Sequence, residues 1–277
     1  MVDPAEDSGH RQQLLAAYNL VSSGYDTQRY VRICANRLVE LSGLHSGVQV
    51  LDVATGTGWA TMAAGRTVGP AGQVVGVDMA PGMLREARRK MAEAHLTNVE
   101  VREGDAEHLD FADESFDAVI CASGLFFLPH MLEALLEWQR VLRPSGLVAF
   151  STFGDMLFQP MRDMLKARLQ TCGVSLPHGR PSQRLTAPEQ CRALLQDAGF
   201  SDIEVRTEPL DYYLSDANAY WEDTVCWNGS WRDLISQVPP DQFDQFRAEH
   251  LAEVSALATD QGIWVQNPCI FALGRKP

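Results

Sequence analysis

Between residues 48 and 153 the chain switches repeatedly from short, unbroken apolar runs to amphipathic stretches. No other feature constrains its fold as much. "VQVLDVA" (48–54), "QVVGVD" (73–78), "VEVREGD" (99–105), "FDAVICAS" (116–123) and "LVAFSTF" (147–153) have strand length. They are largely continuous in apolarity, as strands covered on both faces are. Between them, "WATMAAGRTV" (59–68), "APGMLREARRKMAEAH" (80–95) and "HMLEALLEWQRVL" (130–142) read as helices. Pro81 marks one helix start, and Pro144 with Gly146 stops another. Such alternation predicts a parallel sheet with helices on both faces and ligands beyond the carboxyl ends of the strands.

Past residue 153 the pattern changes. A helix is expected after Pro160, another over 187–200, a strand over 201–210 and a final strand over 267–276. The intervening segment, 211–266, is rich in aromatics and much longer than a hairpin needs, so it predicts a helical cap with a helix near 240–259. At 277 residues and 45% hydrophobic, the chain has material for one elaborated α/β domain or two small ones.

Formal net charge is −13. A surface so acidic repels phosphate backbones, and no nucleic-acid partner is expected. Arg85, Arg88, Arg89 and Lys90 have the spacing of a solvated helix face. The start, "MVDPAEDSGHRQQ", is polar and acidic, and no run approaches the ~18 apolar residues of a membrane span, so a cytoplasmic protein with no membrane partner is expected. Six cysteines are scattered without a CxxC pair, which reads as reduced thiols and no metal site. Monomer and homodimer both remain open.

The first strand runs into "ATGTG" (54–58), where Gly56 and Gly58 allow backbone angles and close approaches that a Cβ forbids. A helix starting near Trp59 directs free N–H groups and its positive end at that loop, which suits an anion. A dinucleotide fingerprint would want a third glycine where Thr61 stands. Asp78 ends the second strand, where a carboxylate can accept both hydroxyls of a ribose. Gly104 and Asp105 end the third, and Asp105 is placed to accept from an adenine amino group. Ser123 ends the fourth. Asp52 stands at the mouth of the first strand, as a ligand-facing carboxylate or as a cap for the loop.

With these residues in place, the chain resembles the class I S-adenosylmethionine-dependent methyltransferases, in particular the ubiquinone/menaquinone C-methyltransferase-like (type 11) branch. The resemblance rests on "VLDVATGTG", "VVGVDMAPGML", "GDAEHLDFADESFDAVICASGL" and "RVLRPSG" in order over 48–153. It implies a Rossmann-like, doubly wound seven-stranded sheet, its last strand antiparallel and its helical cap inserted between the last two strands. Residues 1–47 would form an N-terminal helical lid, 48–153 the S-adenosylmethionine-binding core, and 154–277 the rest of the sheet with the cap. Ala54, Thr55, Gly56, Thr57 and Gly58 would lie along the methionine part of the cofactor. Asp78 would hold the ribose, Asp105 and Ala106 would flank the adenine, Met79 and Met83 would pack beside the adenosine, and Ser123 would line the cleft.

Two departures from the family pattern stand out: Ser145 replaces a glycine in "RVLRPSG", and His130 replaces an acidic residue after Pro129. His130 is a candidate base for a hydroxyl acceptor, or a solvated helix-start residue. "YNLVSSGYD" (18–26) resembles the segment that closes over the cofactor. Tyr18 and Tyr25 are candidates for the cofactor roof or the acceptor site, Tyr25 as a catalytic group; as packing residues of a terminal helix they need no ligand.

Methyl transfer is an in-line displacement that needs placement and exclusion of water rather than a side-chain nucleophile or a metal. The acceptor is expected to be a hydrophobic or aromatic small molecule, met by Phe127, Phe153, Tyr213, Trp221 and Trp227, with Phe126, Phe158, Met156 and Met161 in the same apolar wall. Arg180 and Arg184 would receive an acidic group or be solvated. A non-methylating step on the same fold, such as a cyclisation, is the alternative.

Overall fold

The computed structural model describes residues 4–176 and 184–277. Seven strands form one sheet: β1 (Gln49–Val53), β2 (Gln73–Asp78), β3 (Val99–Glu103), β4 (Phe116–Ala122), β5 (Leu142–Phe153), β6 (Ser201–Pro209) and β9 (Pro268–Arg275), in the order β3-β2-β1-β4-β5-β9-β6. The first five pair parallel, with Leu51 opposite Val75 on one side and Val119 on the other. The last strand, β9, is antiparallel to both β5 and β6. Val50, Leu51, Val53, Val119 and Ile120 are fully buried, as continuous apolar strands between two helical layers must be.

Helices α2 (Arg29–Leu41), α3 (Trp59–Val68), α4 (Pro81–Glu93), α5 (Met131–Val141), α6 (Met161–Thr171) and α7 (Pro188–Asp197) flank the sheet. Close packing is set by missing side chains. A Cβ on Gly65 of α3 would stand 2.3 Å from Val99 Cγ1. Helix α5 ends at Val141, ahead of Pro144 and Gly146, and β5 begins at once at Leu142 rather than at 147, with an irregularity opposite Phe116–Ala118. Ser145 holds φ +63° there, a left-handed conformation that glycine would adopt without strain.

The insert between β6 and β9 is not purely helical. It opens with β7 (Tyr212–Leu214), closes with β8 (Ile263–Val265), and these pair antiparallel as a separate ribbon. Within it lie α8 (Ala217–Tyr220), a π-helical turn (Trp221–Cys226), α9 (Gly229–Ile235) and α10 (Phe243–Ser255). At the other end of the chain, α1 (Pro4–Val21) and a 3₁₀ turn (Ser22–Thr27) precede α2. Among the described residues no helix is long and apolar enough to cross a membrane.

Candidate functional site

Strand order reverses between β1 and β4, and the carboxyl ends of β1, β2, β3 and β4 open a cleft there, the place where open α/β sheets bind ligands. Counting its open mouth, it encloses about 950 Å³. Ala54 and Gly56 line it from the first loop, Asp78, Met79 and Met83 from the second, Gly104, Asp105 and Ala106 from the third, and Ser123 and Gly124 from the fourth. Phe127, Leu128 and Pro129 close one wall. Arg11, Leu14, Leu15 and Tyr18 of α1, with Tyr25 of the 3₁₀ turn, form the roof.

The loop after β1 is built for close approach. Gly56 has φ +55° and nothing within 4 Å of where a Cβ would be, so the space above its backbone is open to a ligand. Gly58, the N-cap of α3, has φ +84°, and its absent Cβ would meet Met91 and Ala87 within 3.1 Å. Ala54 and Ser123 are non-glycine residues at φ +54° and +59° where β1 and β4 end, strain of about 1–2 kcal/mol each that the fold holds beside the cleft.

Asp78 accepts from Gly56 N and Ala80 N, both at 2.8 Å, and this draws the first and second loops together. Burial raises its pKa against those amide bonds. Asp105 accepts from Glu107 N at 2.9 Å and is ion-paired to Arg11, which also pairs with Glu107. Burial first, and then the nearby carboxylates of Asp78 and Asp26, push the Tyr25 phenol up. Burial, Tyr25 and Tyr30 do the same to Tyr18, with Asp78 adding to it. In both, burial favours the neutral phenol. Tyr18 stands edge-on to Tyr25 at 6.0 Å and to Phe127 at 5.6 Å, joining roof to wall.

Several expected site residues lie elsewhere. Asp52 is fully buried below the loop and accepts from Thr55 Oγ1 and Thr61 Oγ1 at 2.7 and 2.6 Å. Burial lifts its pKa to about 6, and it caps the loop from within. Thr57 is buried and donates to Asp26 Oδ1 at 2.5 Å, away from the cleft. His130 is exposed at the start of α5, outside the cleft wall, with its backbone amide on Glu107 Oε1. Phe153 is buried behind the cleft against Tyr30 and Phe126. Tyr213 is on the outer side of the ribbon beside Trp264, and Trp221 is core of the insert against Phe246 and His250. Trp227 packs behind the roof, in one apolar cluster with Tyr18, Tyr25 and Met83. Arg184 braces the carbonyls of Leu128 and Pro129 at 2.7 and 2.8 Å; Arg180 falls outside the described residues.

Residues 50–146 match the family described as a methyltransferase domain. This segment is a methyltransferase domain. The sequence of the chain is 35% identical over 150 residues to the demethylmenaquinone methyltransferase of Staphylococcus aureus (strain JH9), which covers 52% of this chain and 61% of that protein. The chain thus spans about three fifths of the curated relatives it matches. Among solved structures, a SAM-dependent methyltransferase from Aquifex aeolicus superposes with a TM-score of 0.55 at 17% identity, over 94% of this chain and 98% of that one. The [4+2]-cyclase SpnF does so with a TM-score of 0.56 at 22% identity, over 87% and 81%. These likenesses establish the Rossmann-like fold around the methyltransferase domain.

Proposed function

We propose that the protein transfers a methyl group from S-adenosylmethionine to a hydrophobic or aromatic small molecule. The observation that carries this is the meeting of Gly56, Asp78 and Asp105, from three successive strand ends, in one cleft of the methyltransferase domain. The residues suit the cofactor: bare backbone at Gly56 for its amino-acid end, the Asp78 carboxylate for the ribose hydroxyls, Asp105 and Ala106 for the adenine, Met79 and Met83 beside the ring. Bound there, it supplies a methyl carbon already activated by a sulfonium. The chain has to aim an acceptor at that carbon and keep water out.

In this reading residues 1–47 are the lid, 48–153 the cofactor core, and 154–277 complete the sheet and carry the insert. The roof and wall next to Ser123 are apolar and aromatic: Leu14, Leu15, Tyr18, Tyr25, Phe127 and Leu128. Among the described residues of that cleft there is no histidine, and its two tyrosines are held as phenols. An acceptor that is a good nucleophile without help from histidine suits such a site: an electron-rich aromatic carbon, a phenolate or an amine. The Staphylococcus relative's name makes a reduced quinone the first acceptor to try. Incubating the chain with S-adenosylmethionine and a panel of quinols, phenols and aromatic amines tests this, with release of S-adenosylhomocysteine as the signal. A cleft with an apolar, aromatic roof and wall also suits a cyclisation. Turnover of a polyene with no S-adenosylhomocysteine formed would select that second reading.

A further inference from the structure

Among the described residues no part of the insert lines the cleft, and Trp227 meets the N-terminal segment that does. Trp227 lies flat against Gly24: a Cβ there would stand 2.0–2.3 Å from three atoms of the indole, so no other residue fits. Around that contact the 222–228 stretch holds the 24–30 stretch through polar bonds. Thr27 Oγ1 donates to Glu222 O at 3.1 Å, and Gln28 Nε2 to Trp227 O at 3.0 Å. Asp223 accepts from Arg29 N at 2.7 Å, and Asn228 Nδ2 donates to Tyr30 OH at 3.1 Å. The turn is pinned on its far side too. Asp26 accepts from Thr57 Oγ1 and from Trp59 Nε1, and is 2.7 Å from Lys90 Nζ. Tyr25, between the two anchors, is the residue of that turn that lines the cleft.

We propose that Trp227 is a positioning residue: seated on Gly24, it fixes the turn Ser22–Thr27 so that Tyr25 is held in the cleft. The insert acts on the reaction through this contact and touches neither cofactor nor acceptor with its own aromatics. That corrects the expectation that Trp221, Trp227 and Tyr213 form an acceptor pocket. The proposal rests on the methyltransferase reading for its ligand readout alone.

Amide hydrogen exchange on the ligand-free chain is the first test. Trp227→Ala should speed exchange across 18–27 by about tenfold, with β1 and β4 unchanged, while Trp227→Phe keeps most of the protection. Gly24→Ala attacks the same contact from the other side, and adding Trp227→Ala to it should give no further rise. The second test is a double-mutant cycle on the Kd for S-adenosylhomocysteine. Trp227→Ala should weaken binding about fivefold in the parent and less than about twofold in a Tyr25→Ala background. Unchanged exchange in Trp227→Ala, or full additivity in the cycle, overturns the proposal. If the parent itself binds no S-adenosylhomocysteine, the functional reading fails and the exchange data alone decide the latch.

Discussion

Arg11 of the first helix is ion-paired to Asp105, 94 residues away at the end of β3. One contact thus joins the roof of the cleft to the carboxylate assigned to adenine, and Glu107 takes the other arm of the guanidinium. Part-exposed pairs of this kind are worth about 1 kcal/mol or less, enough to hold a lid but not to lock it. If ligand enters past α1, it has to break them.

Arg11→Met should therefore speed both association and dissociation of S-adenosylhomocysteine, by up to about fivefold, in stopped-flow tryptophan fluorescence. High salt should bring the parent towards the variant and leave the variant unchanged. Equal rates in parent and variant would show that the pair does not gate the cleft.

Asp78→Ala should cost on the order of 2–4 kcal/mol of cofactor affinity, through loss of charge-assisted bonds to the ribose. It should also lower the melting temperature, because Gly56 N and Ala80 N lose their acceptor. Calorimetric titration and thermal melting separate the two effects. A variant that melts early yet binds as the parent does would make Asp78 purely structural.

Trp221 belongs to the insert's core, with Arg247 over its face and Phe246 and His250 at its edges. Trp221→Ala should cost about 3–5 kcal/mol of stability. Trp221→Phe, which keeps most of the packing, should leave turnover and cofactor Kd unchanged. A raised acceptor KM in the folded Phe variant would return Trp221 to the acceptor site.

His250 of α10 is fully buried against Tyr220 Oη, and desolvation, helped by Arg168, lowers its pKa from 6.5 to about 4. The unfolded chain binds this proton more readily than the folded one. The stability His250 contributes is thus complete above pH 6.5 and drains away as pH falls towards 4. Asp52, raised to about 6, works in the opposite sense below that pH, so the effect is read as a difference. Between pH 7.5 and 5 the parent should lose about 2 kcal/mol more than His250→Gln in urea titrations. Parallel losses would remove His250 from the pH response.

That Gly56, Asp78 and Asp105 meet in one cleft is legible in the sequence because the signals are local. Gly56, Asp78 and Asp105 each follow an apolar strand, and parallel pairing brings strand ends together without further information. Trp59–Val68 and Gln73–Asp78 begin and end where periodicity and breakers indicate. The roof was less legible. Tyr18 and Tyr25 could be marked as candidates, but Arg11 lies in a polar, acidic start and gains meaning only from Asp105. Nothing within its own stretch signals that contact. The bounds of α2 within the helical 1–47 segment and the β7–β8 ribbon are hidden for a related reason: α2 has no side-chain cap at Gln28, and the ribbon strands are three residues each. The aromatics of 211–266 misled because aromatic side chains serve cores and pockets alike. Only packing shows that Trp221 is buried among its own insert while Trp227 presses on Gly24.

Isothermal titration of the purified chain decides whether this cleft takes S-adenosylmethionine. Saturable heat is expected with S-adenosylhomocysteine, weakened in Asp78→Ala, and none with NAD. Saturable heat with NAD and none with S-adenosylhomocysteine would contradict that assignment.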